Sequence, residues 1–400
     1  MRSRNALAVL GAAAVTLALA ACGGSSSSSA SDGGSAKGDL TVGLLAPFTG
    51  DYAVYGDGYQ QGIDAWIKAN GQPQVDGHKV NVVKLDDQCD VAAGVAAFRR
   101  QAKKLTAVIG PSCSSIGPPL KPLIKATKVP MLLLGHAASV TLGYKEGWIF
   151  RISHPDSANQ SAFGEYLLTK WKGQGITKVG VIYDTSVTDA NAAKSWTAVS
   201  KQVGVSMAAS VSFDPGVTDF SSQLLKLKNA GAQGYILQVF GPDESRLIKQ
   251  MGDLGIKVPI ASAEDTPYPF VVNKQTGPGI NRVSYYTDYA PGLDTPVSKK
   301  FEEAFRQVTS AAPLDIGWEG YLAMEVLMQA LKRPGAVGGG DKLREAIAQT
   351  SIPLGDVTIS FLPNGDQKQV LTYAARIAND KPVLEKLIVK PRESYSDWTP

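Results

Sequence analysis

Few residues in this chain are suited to metal or thiol chemistry. Its 400 residues include three cysteines and three histidines. None of these falls in a CxxC or HxxxH arrangement, which leaves little for a structural zinc site. Excess charge of one sign is also lacking. Forty basic and 36 acidic side chains leave a formal net charge of +4, spread without long runs, so there is no electrostatic footprint for nucleic acid. After Ala21 no apolar run approaches the ~18 residues of a spanning helix. Enzyme signatures are missing too. Gly56-Asp57-Gly58-Tyr59-Gln60-Gln61-Gly62 is GxGxxxG with no strand ending just before it, so it is not a dinucleotide fingerprint, and its glycines are expected to let helix and sheet approach closely. Gly110-Pro111-Ser112-Cys113-Ser114 lacks the second glycine of a nucleophile elbow. Cys113 as a nucleophile would need a base, and nothing places His78, His136 or His154 beside it. No P-loop is present, so any ATPase must be another chain. What remains is an ordinary globular composition, 44% hydrophobic and 19% charged, with length for two or three domains.

The N-terminus carries an address. Arg2 and Arg4 precede an apolar run from Ala6 to Ala21, and Cys22 follows at once, the layout of a secretory signal peptide. As a helix the run rises about 24 Å, short of a ~30 Å hydrocarbon core. Leu19-Ala20-Ala21-Cys22 resembles the bacterial lipobox. That resemblance implies that residues 1–21 are removed and that Cys22 becomes a lipidated N-terminus; two acyl chains suffice for stable anchoring. The alternative is ordinary cleavage near Ala21 with Cys22 incidental. Residues 22–38 are expected to form a flexible Gly/Ser linker, because Gly23 to Gly38 contains only Gly, Ser, Ala, Asp and Lys and cannot bury enough apolar surface to fold. Without residues 1–21 the net charge is 4 − 2 = +2.

From Leu40 onward short apolar runs alternate with helical patterns. The predicted strands are Leu40–Pro47, Lys79–Leu85, Ala107–Gly110, Pro130–Leu134, Lys178–Tyr183, Gln233–Val239 and Pro259–Ala263. The predicted helices are Tyr59–Ala69, Ala92–Lys104, Ser157–Lys172, Ala190–Val203 and Asp243–Leu254, with a later amphipathic helix carrying Val297, Phe301, Ala304, Phe305 and Val308. Strand-then-helix repetition implies parallel sheets with right-handed crossovers, and the near-continuous apolar strands fit sheets covered on both faces. Chain crossings are expected at Phe150–Asp156, Tyr285–Gly292 and Pro353–Asp356. Asn364-Gly365 gives a hairpin turn signal. The expected architecture is α/β: two doubly wound parallel-sheet lobes joined by a three-strand hinge. The N-terminal lobe would take residues 39–154 plus 289–354, and the C-terminal lobe 155–288 plus 355–395. Ligands bind such sheets at their carboxyl edges.

Several segments carry a family likeness: Gly43-Leu44-Leu45-Ala46-Pro47-Phe48-Thr49-Gly50, Tyr55-Gly56 leading into Gly62-Ile63-Asp64-Ala65, Asp86-Asp87-Gln88-Cys89-Asp90, Val108 to Ser115, Val129-Pro130-Met131, and Tyr321. In this order, over Asp39 to Lys390, they resemble the leucine/isoleucine/valine-binding proteins of branched-chain amino-acid ABC importers, with the type I periplasmic binding protein fold. The resemblance implies a disulfide between Cys89 and Cys113, also favoured by an oxidising compartment and contributing about 3 kcal/mol. It also implies a ligand site of Tyr55, Ser112, Ser114, His136, Ala137, Ala138, Thr188, Phe240 and Glu264. Ser114 matches the serine that holds the ligand carboxylate, at the start of a helix running toward Lys128. Glu264, with Asp265 as a possible substitute, matches the acid that pairs with the ligand ammonium. Tyr55, in a loop before the first helix, matches a tyrosine covering the ligand side chain. Thr188 and Phe240-Gly241 stand where second-lobe tyrosines often line the pocket. Gly135-His136-Ala137-Ala138 stands where a carboxylate-binding threonine is usual, with His136 a possible replacement donor.

The expected function is an extracytoplasmic solute-binding lipoprotein on the outer face of the cytoplasmic membrane, not an enzyme. It would capture a small ligand, a branched-chain or other amino acid first, and deliver it to an ABC permease with its ATPase subunits. The alternative is a ligand sensor of the same fold, binding an amide, urea or aromatic acid. No cofactor, metal or nucleic acid is expected; the chain would be a monomer and meet the membrane through its lipid anchor only.

Overall fold

Continuous apolar runs form strands where both faces of a sheet can be covered. The computed structural model shows this arrangement twice. It describes residues 38–185, 187–214, 217–239, 241–263, 277–289, 293–310, 313–354 and 357–391. The first run of elements is β1 (Leu40–Ala46), α1 (Ala53–Asn70), β2 (Gln74–Val75), β3 (His78–Asp86), α2 (Val91–Gln101), β4 (Leu105–Ile109), α3 (Gly117–Thr127), β5 (Met131–Leu133) and β6 (Ile149–Arg151). The second is α4 (Asp156–Gly173), β7 (Lys178–Asp184), α5 (Val187–Val203), β8 (Ser206–Phe213), α6 (Ser221–Asn229), β9 (Gly234–Gln238), α7 (Pro242–Asp253), β10 (Ile260–Ser262) and β11 (Val283–Thr287). The chain then returns through α8 (Pro296–Val308), α9 (Asp315–Leu331), α10 (Gly340–Ala348), β12 (Ile352–Leu354) and β13 (Val357–Ile359), and ends in the hairpin β14 (Gln369–Ala378) and β15 (Lys381–Pro391).

One sheet has the order β2-β3-β1-β4-β5-β6 and the other β15-β14-β11-β10-β9-β7-β8. Pairing is parallel within β3-β1-β4-β5-β6 and within β11-β10-β9-β7-β8; β2, β14 and β15 pair antiparallel at the edges. These are two α/β lobes, as the sequence implies. Each sheet separates two apolar layers. On β1, Val42, Leu44 and Ala46 join one cluster with residues of α1, α8 and α9, while Leu45 joins the other with residues of α2 and α3. In the second sheet Val179, Val181 and Ile236 face Trp171 and Trp196, whereas Ile182, Tyr235 and Leu237 face Leu247, Ile248 and Met251. Among the described residues no helix is long and apolar enough to cross a membrane.

Several local expectations need correction. Helix α1 begins at Ala53 rather than Tyr59, so Tyr55 sits in the helix and not in a loop. Gly56 and Gly58 have low helix propensity, but tertiary packing overrides it. The glycines serve two approaches instead of one. A Cβ at Gly56 would lie 1.9 Å from Pro47 O at the strand end, while one at Gly62 would lie 1.9 Å from Gly317 O and one at Gly320 2.3 Å from Tyr59 O. Helix α1 therefore crosses α9 backbone to backbone. Ser114 does not open an α-helix: Ser114–Ile116 form one 3₁₀ turn and α3 starts at Gly117, with a proline in its first turn. Pro118 and Pro119 have no N–H, so the amides free to face an anion belong to the 3₁₀ turn. Asn364-Gly365 does turn the chain, closing the bridge between Phe361 and Gln367, but the long terminal hairpin turns at Asn379 and Asp380, both with positive φ.

Cys89 and Cys113 are disulfide-bonded, with Cα atoms 5.4 Å apart. Beside them Asp87 is fully buried, and its Oδ1 accepts a hydrogen bond from Cys89 N at 2.9 Å. Burial, helped by the Asp86 charge and opposed by the Cys89 N–H, pushes its carboxyl from 3.8 up to about 7. The folded chain thus holds a proton that the unfolded chain releases. The resulting stability is fully present below 3.8 and is lost as pH rises to about 7, with a ceiling of about 4 kcal/mol. Asp87→Asn keeps an acceptor for Cys89 and cannot ionise. Its Tm should exceed the parent's at pH 8 and approach it at pH 4; a parent-like fall in Tm across that range would refute the assignment.

Candidate functional site

The carboxyl ends of β4 and β5 are tied together. Gly110 N donates to Leu132 O at 2.8 Å, Gly135 N to Pro111 O at 2.9 Å, and Ala137 N to Ser114 Oγ at 3.0 Å. Gly135 packs so closely that a Cβ there would lie 2.8 Å from Ser114 Oγ and 3.0 Å from Ser112 O. Ser112, Ser114, His136, Ala137 and Ala138 are therefore one surface built from two adjacent loops. Ser114 Oγ accepts from Ala137, which leaves its proton to donate outward. Ser112 Oγ is buried, and no described residue hydrogen-bonds it.

What fixes this edge is Arg151, which is completely buried. Its guanidinium donates to Gly135 O, to Ala137 O at 3.0 Å, to Thr141 Oγ1 at 2.8 Å and to Asp366 Oδ1 at 2.9 Å. Ser153 Oγ adds a bond to Gly135 O at 3.2 Å. From the start of α4, Asp156 Oδ1 accepts from Ala138 N at 3.1 Å while its own N–H donates to His136 O at 2.8 Å. Burial raises the Asp156 carboxyl above its ordinary value, although the Ala138 and Ser157 amides and the Arg151 charge pull it down.

Tyr55 is nearly fully buried on α1, with its ring 6.3 Å from that of Tyr52. Tyr52 meets the other lobe. Gly241, at the start of α7, has φ +73°, and a Cβ on it would lie 2.6 Å from Tyr52 Cε1. Only glycine satisfies both the backbone and the contact. On the second-lobe side Gln238, ending β9, accepts at Oε1 from Gln160 Nε2 and Trp196 Nε1, each at 3.0 Å. Strand β10 leads through Ala263, whose carbonyl accepts from Tyr286 OH at 2.6 Å, toward position 264. Glu264, Asp265, Phe240 and the Thr188 side chain lie outside the described residues, as does Cys22.

His136 turns toward the hinge: its Nε2 lies 3.2 Å from Glu319 Oε1. Sequence reasoning missed Arg151, Glu319, Asp288, Gln160 and Gln238. A signal existed for two of them. Arg151 interrupts the apolar run Ile149 to Ile152, and Glu319 shares a face with Asp315 in the apolar sequence of α9.

The chain has relatives. A model of the periplasmic binding protein family matches residues 39–382. Leu/Ile/Val-binding protein homolog 2 of Brucella abortus is 25% identical over 61% of this chain and 65% of its own length, so the match spans just under two thirds of that relative. An amino acid binding protein of Pseudomonas aeruginosa is 24% identical over 68% of this chain and 72% of its own. A leucine binding protein structure from Thermotoga maritima superposes with TM-score 0.77 at 23% identity, covering 87% of this chain and 98% of that one. A solute binding protein from R. palustris in complex with benzoate superposes with TM-score 0.75 at 18% identity, covering 87% and 96%.

Removing one partner from a buried ion pair leaves the other charge stranded, at a cost of about 3–5 kcal/mol. Arg151→Met should therefore lower stability by that amount in denaturant melts, and adding Asp366→Asn should restore part of it. If the double variant is no more stable than the single, the Arg151–Asp366 pair is not what holds this edge.

Proposed function

The chain belongs to the periplasmic binding protein family, and from that premise we propose that it is a solute-binding lipoprotein. It closes two lobes on a small carboxylate-bearing ligand, an amino acid first, and passes it to an ABC permease and its ATPase subunits outside the cytoplasm. No covalent chemistry is involved. The lobes divide as 39–154 with 289–354 and 155–288 with 355–395, and a lipid on Cys22 tethers them through the linker 22–38.

One observation carries this reading: two serine hydroxyls at the carboxyl edge of the first sheet. Ser112 Oγ is buried without a hydrogen-bonding partner among the described residues, and Ser114 Oγ has a proton to give beside it. A buried, unsatisfied hydroxyl costs about 1–3 kcal/mol. A ligand carboxylate removes that cost and gains charge-assisted hydrogen bonds. The second lobe supplies the other grip, Glu264 on the ammonium, so that only the closed form makes both contacts. Tyr52 on the first-lobe side lies against Gly241 on the second. Micromolar affinity corresponds to about −8 kcal/mol, within reach of such contacts and a desolvated side chain.

An aromatic acid is the second reading. The fold neighbour holding benzoate has a ligand with the carboxylate but no ammonium, so the Ser112–Ser114 edge serves both ligands and Glu264 only the amino acid. A thermal-shift panel of branched-chain and other amino acids, amides, urea and aromatic acids should raise Tm in a concentration-dependent way for one group. Ser114→Ala should then weaken that ligand about 10–100-fold, the worth of a hydrogen bond to a charge. Glu264→Gln should weaken an amino acid by a similar or larger factor and leave an aromatic acid unchanged. Unaltered affinity in both variants would remove this edge and this acid from the site. The tether has its own test: Cys22→Ala should move the protein from the membrane to the soluble fraction, and retention at the membrane would exclude lipidation at Cys22.

A further inference from the structure

Four metal-competent side chains converge where the chain crosses between lobes, beside the surface that the loop of His136 shares with Ser112 and Ser114. His136 offers a ring nitrogen from the loop after β5, Asp288 a carboxylate oxygen just after β11, and Glu319 a carboxylate oxygen from α9; these atoms all lie within 4.8 Å of one another. His154, just after β6, places Nδ1 2.8 Å from Asp288 Oδ1. Asp288, Glu319 and His154 are each more than nine-tenths buried. We propose that this cluster is a binding site for a divalent transition-metal ion of the zinc type, set into the hinge.

Three observations support the proposal. The first is the donor set: imidazole nitrogen with carboxylate oxygen suits zinc and its neighbours better than calcium or magnesium, which prefer all-oxygen cages. The second is His154. Its ring is buried and its Nδ1 pairs with Asp288 Oδ1 at 2.8 Å, which brings a second imidazole to the same carboxylate. The third is room beside the cluster: a cavity of about 20 Å³ is bounded by His154, Asp288 and Glu319, though not by His136, together with apolar neighbours such as Trp318 and Leu322, and it exceeds the ~10–15 Å³ one water needs. Tetrahedral zinc with bonds of about 2.0–2.2 Å sets its ligands roughly 3.3–3.6 Å apart. The His136–Glu319 pair is already at 3.2 Å, the His154–Asp288 pair at 2.8 Å must open by about 0.5 Å, and donor atoms as far as 4.8 Å apart must draw in by about 1 Å.

Asp288 is held for the task. Its Oδ2 accepts from His154 N at 3.1 Å and its Oδ1 from Asn159 Nδ2 at 3.2 Å, outer contacts that orient a ligating carboxylate. Since His154 and Asp288 lie on two different chain crossings, an ion here would cross-tie the hinge and hold one setting of the lobes. The absence of CxxC or HxxxH spacing therefore did not exclude a site assembled from four distant segments.

The test uses purified full-length protein, stripped with EDTA and dialysed against zinc chloride. The expected result is one zinc per chain by elemental analysis, a Tm raised by several degrees, and no such rise with magnesium chloride. Glu319→Gln and Asp288→Asn should lose the bound zinc and the Tm rise while keeping parent circular dichroism. If either fails to fold, His136→Ala, at a half-buried position, reads the same loss. Zinc binding below about 0.1 equivalent at 100 µM would overturn the proposal, as would full binding retained in every variant that folds.

Discussion

A guanidinium sealed from water organises the carboxyl edge of the first lobe's sheet. Arg151 is wholly buried, and its donors go to two carbonyls of the loop after β5, to Thr141 and to Asp366. Burying a charge is costly unless geometry and hydrogen bonding repay it, and here they do so by dictating a conformation. Gly135 and Ala137 present their carbonyls inward, which leaves the Ala137 amide to meet Ser114 and brings Ser112 and Ser114 to one surface. Apolar packing alone would cover the sheet but would not fix where a four-residue loop points its amides.

The same residue couples that edge to the hinge. Arg151 ends β6 and bonds Asp366 beyond the third crossing, and its own amide donates to Gly365 O at 2.8 Å. Three residues on, His154 and Asp288 join the first crossing to the second. Buried polar contacts thus link residues 151–154 to Asp288 on one side and to Gly365 and Asp366 on the other, so these segments have few independent ways to move. A change in lobe separation must be shared among them, the condition for hinge closure around a ligand.

Much of this was legible in the sequence, for physical reasons that also explain the gaps. Val179-Gly180-Val181-Ile182 and Met131-Leu132-Leu133 announce strands buried on both faces. Strand β8, Ser206–Phe213, was missed because its outward positions are small or polar and its burial is partial. Strand β6 was hidden by Arg151, a charge in an apolar run whose partner lies 215 positions away. The start of α1 was misplaced because its glycines serve contacts with α9 that local propensity does not encode. In the candidate site, Ser112, Ser114, Ala137 and Ala138 come from the family resemblance, and the structure brings them to one surface. Asp288 could not be named, since a lone acid reads the same in a solvated loop and in a buried cluster.

The account's central claim is that a carboxylate seats on the paired serines between the lobes. It is tested most directly by the crystal structure of the complex with whichever compound stabilises the protein. The account predicts a carboxylate within hydrogen-bonding distance of both Ser112 and Ser114 hydroxyls, enclosed by residues of both sheets. A ligand seated on one lobe alone, or with its carboxylate turned away from those serines, would contradict it.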